Sequence, residues 1–303
     1  MKCKNLLSLA GMKRSGNLAI CLFVFFLIFS CTAPIDIHTN NSEPVPVIYG
    51  YLTDELKNQH IRITSSSPYF HEADNKFISN AKVWVTSSTG REYPFVHDAN
   101  GYYVSQRRFS AVPGVSYRLS VELDFRNDGI VELYEAETTT LPKLPVDSIN
   151  VTSLNIMGFH HYSLNIYMQE PPETDNYYLF KYVINDTVSN DRISDLIIAD
   201  DEMINGEYMD GVSIRYFNAA SDFEEIGEDW DMYFVSPGDR IRLQIMNIEK
   251  GYYTFIRDCS MEKYGSNPFF GGPPSNIHTN LSNGAVGYFS SYCIQEKRTV
   301  VPE

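Results

Sequence analysis

Residues 112–123 read VPGVSYRLSVEL, and this stretch decides the fold class. A turn at Val112-Pro113-Gly114 opens it. From Tyr117 the side chains alternate, with Tyr117, Leu119, Val121 and Leu123 on one face and Arg118, Ser120 and Glu122 on the other. A period of two is an extended strand with one face on a core and one toward water. The pattern recurs on either side. Val45 to Leu52 and Ile61 to Thr64 are strand-like, and in Ala81 to Thr86 the residues Ala81, Val83 and Val85 share a face. Ser87-Ser88-Thr89-Gly90 turns that strand into Glu92 to Val96, and Asp98-Ala99-Asn100-Gly101 leads into Tyr102-Tyr103-Val104. Val131 to Thr139 completes the set. Short strands separated by such turns predict an immunoglobulin-like or prealbumin-like β-sandwich over residues 44–141.

Leu141-Pro142-Lys143-Leu144-Pro145 is a stiff linker and marks the expected start of a second antiparallel β domain, residues 142–303. Its strands are expected at 147–154, 161–168, 177–184, 192–199, 212–217 and 240–246, with Tyr162, Leu164 and Ile166 pointing inward. One segment changes period. Ile248, Tyr252, Phe255, Ile256 and Cys259 lie near one helical stripe, which predicts a helix near 249–263, stopped by Gly265 and weakened in its first turn by Gly251. Ala285 to Val301 is expected as the last strand, carrying Cys293. The fold class is therefore all-β with one helix, in keeping with 21 Tyr and 18 Phe.

The N-terminus says where the chain works. Leu18 to Cys31, LAICLFVFFLIFSC, is apolar, follows Lys13-Arg14 and ends at Ser30-Cys31. Its greasy run of about 13 residues is shorter than the roughly 20 that span a bilayer, so residues 1–30 read as a lipoprotein signal peptide and Cys31 as the lipidated residue. Met12 makes a more ordinary start for such a signal than Met1. Several acyl chains on Cys31 would give a permanent anchor, and residues 31–43 would be a flexible tether. Location is expected to be the outer membrane, lipid-anchored, with the face left open. Formal charge is −14, and the signal contains Lys2, Lys4, Lys13 and Arg14 but no acid. So acidic a domain excludes nucleic acid as a partner.

Little in the chain points to catalysis. No Gly-x-Ser-x-Gly, His-Glu-x-x-His, phosphate loop or dinucleotide fingerprint is present. Asp200-Asp201-Glu202 and the acidic run from Asp222 to Asp231 lack calcium-loop spacing, and His160-His161 would point to opposite faces of a strand. No metal, cofactor or catalytic residue is assigned. Cys259 and Cys293 are either a disulfide in an oxidising exterior or two buried thiols. Ser65 to Glu72 is a crossover or a contact loop, and the Asp-Ser and Asp-Thr pairs at Ser148 and Thr187 fit a short O-glycosylation pattern. The Gly/Pro-rich stretch after the helix reads as an ordered loop whose backbone approaches something closely. It makes Phe269, Phe270, Tyr288 and Phe289 the candidate binding residues, the alternative for each being core packing.

Two resemblances follow. The order A-x-V-x-V, N-G-x-Y, V-P-G-x-x-Y-x-L-x-V across residues 81–121 resembles carboxypeptidase-regulatory-like domains, which are scaffolds. NPFFGGPPSNIHTNLSNGAVGYF, residues 267–289, resembles the end of the Bacteroidota lipoproteins catalogued as domain of unknown function 4249. The likeness extends to the lipid signal, Val47 to Leu52, the Ser65 to Phe70 loop, the Pro-rich hinge, Asp200-Asp201 before Asn205-Gly206, and Pro237-Gly238-Asp239. This chain departs from it in the Phe29 of its lipobox and in the acidic run at 222–231. The resemblance implies a non-enzymatic accessory binding or assembly partner of a TonB-dependent transporter in nutrient uptake, its ligand unknown. A surface adhesin or stalk module is the alternative, and a hydrolase with an unrecognised site a further one.

Overall fold

The first seven expected strands all form: β1 (Pro46–Thr53), β2 (His60–Ser65), β3 (Lys82–Ser87), β4 (Glu92–His97), β5 (Tyr102–Ser105), β6 (Ser116–Leu123) and β7 (Glu132–Thr139). They come from a computed structural model that describes residues 43–66, 76–172, 174–188, 190, 192–222, 234–265 and 277–303. Alternation in β6 is realised. Tyr117, Leu119, Val121 and Leu123 are buried, while Arg118 is exposed and Glu122 half-buried on the opposite face.

The remaining elements are β8 (Val146–Ile156), β9 (Phe159–Gln169), β10 (Tyr177–Ile184), β11 (Thr187–Val188), β12 (Ile197–Asp200), β13 (Tyr208–Ala219), β14 (Phe234–Val235), β15 (Arg240–Ile248), α1 (Lys250–Gly265), β16 (Val286–Tyr292) and β17 (Gln295–Val300). The fold is all-β, with one α-helix among the described residues. Three sheets result, ordered β16-β1-β2-β5-β4-β3-β6-β7, β11-β10-β15-β17 with β12 also on β10, and β14-β13-β9-β8. The last two sandwich a core that includes Leu164, Ile166, Phe180, Phe217, Leu243 and Ile245. Tyr162, Leu164 and Ile166 do point inward. Where a strand was expected over 192–199, Ile193–Asp195 is a 3-10 turn, and the strand begins only at Ile197.

The C-terminal segment differs from expectation. Ala285 to Val301 is not one strand but two in different sheets. β16 runs parallel to β1 from Val47 opposite Val286 to Thr53 opposite Tyr292, and β17 then pairs antiparallel with β15. Between them the chain turns a corner at Cys293-Ile294, where the Ile294 amide donates to Asp54 Oδ1 at 2.9 Å. The expected boundary at 142 is thus crossed: part of 142–303 completes the sheet of 44–141, and Glu43–Glu303 is one compact unit. A close approach makes the pairing possible. Gly287 has φ +111°, and a Cβ there would overlap the Ile48 carbonyl.

β16 also brings the first sheet round toward its other edge. Leu141, just past β7, bridges to Tyr292. Asn280 spans the gap, its Nδ2 donating to the carbonyls of Glu137 at 3.0 Å and Phe289 at 2.8 Å, while its Oδ1 accepts from the Phe289 amide at 3.0 Å. Inside the curled sheet lie Ile48, Ile61, Ile63, Val85, Leu119, Val121 and Phe289.

α1 forms close to its predicted place, over 250–265, and covers what both halves leave open. Tyr252, Phe255 and Ile256 pack against Leu179, Met246 and Ile248 of the second half and against Tyr288 and Tyr292 of β16. Tyr252 lies 5.3 Å from Tyr288 between ring centroids, Phe255 stacks on Tyr49 at 6.1 Å, and the Tyr49 and Tyr252 hydroxyls share a hydrogen bond of 2.8 Å. The Glu249 carbonyl accepts from the Tyr252 and Tyr253 amides, so this residue starts the helix. Its carboxylate reaches β7, accepting from Thr138 Oγ1 at 2.6 Å and the Thr139 amide at 3.1 Å.

Gly251, a poor residue for a first helical turn, is explained by this packing, because a Cβ there would overlap the Tyr288 hydroxyl. Gly251→Ala gains about 1 kcal/mol of helix propensity but overpacks by about 1–3 kcal/mol. We expect a net fall of a few degrees in Tm, measured by calorimetry, and recovery of most of it when Tyr288→Phe removes the hydroxyl in the same chain. An increase in Tm for Gly251→Ala alone would show that this contact is absent.

Candidate functional site

Among the residues singled out in the sequence, Cys31, Phe269 and Phe270 lie outside the described residues, as do 67–75 and 223–233. Tyr288 and Phe289 are 4% and 0% exposed, which corrects their reading as contact residues. The reason is topological. β16 is flanked by β1 and β7, so its alternating side chains face two interiors: Phe289 enters the core of the curled sheet and Tyr288 the aromatic layer under α1. Cys259 and Cys293 are both free thiols, one on α1 and one at the β16–β17 corner, so of the two readings left open for them the disulfide is not formed. Burial pushes each thiol up to about 11.

Of Asp200-Asp201 and Asn205-Gly206, Asp201 and the Gly206 amide join a buried polar knot, while Asn205 is exposed and Asp200 accepts from the Tyr253 hydroxyl at 2.9 Å. Glu170, fully buried at the end of β9, accepts from the Tyr178 hydroxyl at 2.8 Å, Asn176 Nδ2 at 2.8 Å and the Gly206 amide at 2.5 Å. Asp201 accepts from the Asn176 amide at 2.7 Å. Burial, and next the Glu170 carboxylate beside it, push the Tyr178 phenol well above its usual range. With its acceptors occupied by local donors, this knot fixes the 201–206 turn against β9 and β10. Among the described residues no group of three or more His, Cys, Asp or Glu could hold a metal ion.

The exposed feature that stands out is a hairpin that the sequence hid. β8 and β9 continue beyond the sandwich as a two-stranded ribbon, and every residue from 152 to 160 is exposed. Met157 (φ +54°) and Gly158 (φ +89°) make its two-residue turn, with the Gly158 amide donating to Asn155 Oδ1 at 3.1 Å. Positive φ at both positions matches the right-handed twist of the strands, although Met is a rare residue for it. Leu154 and Ile156 share one face of β8, and Ile156 sits directly opposite Phe159. Met157 is 95% exposed, Phe159 52% and Ile156 46%. Toward the body this face becomes polar, with Ser163, Asn165, Asn150 and Thr152 bonded to one another and Tyr216 standing clear of them. On the other face His160 holds Asp222, donating from its backbone amide and meeting the carboxylate with Nδ1 at 3.1 Å; these bonds hold the Asp222 carboxyl below its usual range. Among the described residues Ile156 and Met157 make an exposed apolar tip, and covering such side chains on another surface is worth roughly 1.5–3 kcal/mol for each one fully buried.

Comparison with known proteins adds a family. The profile of a family described as "Domain of unknown function (DUF4249)" matches residues 32–298. No curated protein matches. Of solved structures, a two fibronectin type-III domain segment from chicken tenascin aligns at 12% identity over 67% of this chain and 90% of that chain, with a TM-score of 0.19. So weak a superposition carries no argument.

The state of the cysteines is directly measurable. Intact mass with and without reductant should show no disulfide between Cys259 and Cys293, and alkylation at pH 8 should be slow until denaturant is added. A thiol raised from 9 to about 11 on folding contributes stability that is fully present below pH 9 and is lost as pH rises through 11. The buried Tyr252 and Tyr292 phenols shift in the same direction, through burial first. Tm should therefore fall steeply between pH 9 and 11, and a flat profile over that window would contradict the burial described.

Proposed function

We propose, from the premise that the chain belongs to the DUF4249 family, that it is a lipid-anchored outer-membrane protein that docks on a TonB-dependent transporter as a non-enzymatic accessory in nutrient uptake. The observation that carries this reading is the apolar tip of the β8–β9 hairpin, Leu154, Ile156 and Met157, exposed at the end of a two-stranded ribbon. A tip of this size suits a hot spot, a few apolar anchors ringed by polar groups, on a partner already concentrated by the shared membrane. Attachment through Cys31 and the tether that follows would set that effective concentration.

Two further features support the assignment. Formal charge of −14 argues against nucleic acid and anionic surfaces. The buried knot around Glu170 and the aromatic layer under α1 make the body stiff, so that docking would not have to order it.

Photocrosslinking from position 157 in the native host tests the proposal, with the product identified by mass spectrometry. A crosslink to a β-barrel transporter is expected, reduced about tenfold or more by Ile156→Asp, since each lost apolar anchor costs roughly 1.5–3 kcal/mol. A crosslink to a matrix or host component, with uptake unchanged on deletion of the gene, would overturn it in favour of an adhesin. Crosslinking that Ile156→Asp leaves untouched would also overturn it.

A further inference from the structure

The outer face of the first sheet carries a groove that the docking role does not use. Cross-strand pairing sets its walls. Trp84 on β3 is opposite Ser120 on β6, and Ser120 is opposite Glu135 on β7; in the next row Thr86 is opposite Arg118, and Arg118 opposite Glu137. Partners in such rows stand about 5 Å apart with side chains on one face. Trp84 and Glu135 are tall and Ser120 between them is short and only 4% exposed, so Ser120 forms the floor. The resulting cleft, about 500 Å³, is lined by Trp84, Thr86, Ser88, Ser116, Arg118 and Glu135 among others.

Its chemistry is specific. The Arg118 guanidinium pairs with Glu137 at an exposed position, its Nε donating at 2.6 Å. Lys82 Nζ lies 4.6 Å from the Trp84 ring centroid and pairs with Glu122 at 3.0 Å, which orients the indole. Among the described residues the one hydrogen bond to the Glu135 carboxylate is a long one of 3.4 Å from Ser120 Oγ, with the Arg118 charge nearby, so acceptor capacity remains toward the groove. Glu135 and Glu137, two residues apart on one strand, stand on the same face at about 6.6 Å.

An apolar ligand would leave Glu135 poorly satisfied, and an anion would meet two carboxylates beside a single guanidinium that Glu137 already engages. A neutral polyhydroxylated ring satisfies both demands: its C–H face packs on the indole, and its hydroxyls donate charge-assisted hydrogen bonds to Glu135. We propose that this groove is a saccharide-binding site, with Trp84 as the stacking platform and Glu135 as the principal acceptor.

The test uses the full chain in detergent without any transporter, so its outcome is separate from that of the docking proposal. Maltohexaose, cellohexaose, xylohexaose and mannohexaose are titrated by calorimetry, with saturation-transfer NMR as a second readout. At least one should saturate below about 10 mM, and Trp84→Ala and Glu135→Gln should each weaken it by about tenfold or more. Both variants alter an outer face, so Tm should stay within about 2 °C of the parent. Saturation by none of the four would overturn the proposal. So would equal binding by the parent and both variants, or binding of a basic peptide in place of every sugar.

Discussion

Everything else in this fold depends on the parallel ladder between β1 and β16. It joins residues near the start of the described chain to residues near its end, Val47 to Val286 through Thr53 to Tyr292. Parallel pairs require a crossover connection, and here that crossover contains the whole second sandwich. The ladder can close only where the backbone comes unusually near, which is the role of Gly287 against the Ile48 carbonyl.

The corner at Cys293-Ile294 makes that ladder matter to both halves. Six residues of β17 follow it and pair with β15, so one short segment is a strand of two sheets. α1 then lies over the joint, and the aromatic layer beneath it, Tyr49, Tyr51, Tyr252, Phe255, Tyr288 and Tyr292, draws from β1, α1 and β16 together. Glu249 extends the same tie to β7 through Thr138 and Thr139. A body fastened this way holds the base of the β8–β9 ribbon and the outer face of β3, β6 and β7 in fixed positions. The same topology makes most pairing non-local, so folding should be slow compared with helical domains of similar size.

Local periodicity made much of this legible. The alternation of 117–123 places β6 and its faces correctly, and the i, i+3, i+4 stripe of Tyr252, Phe255 and Ile256 finds α1 within two residues. What the sequence hides is long-range partnership. Nothing within 285–301 says that its two halves enter different sheets, because a strand reads the same whichever neighbour it takes. Tyr288 and Phe289 looked like contact residues because they follow a Gly-rich loop, yet the glycine that precedes them exists to let β16 press against β1. The hairpin was shortened at Leu154 because Met157-Gly158 lacks the Asn-Gly signature of its turn type. The groove beside Trp84 is visible only once β3, β6 and β7 are set in register.

Native-state hydrogen exchange on the full chain tests the central claim, that the two halves are one cooperative body joined at 286–300. Amides of β1, such as Ile48 and Gly50, and of β15, such as Leu243 and Ile245, should open with the same free energy and the same denaturant dependence. Two separate classes, with β15 protected after β1 has opened, would contradict it.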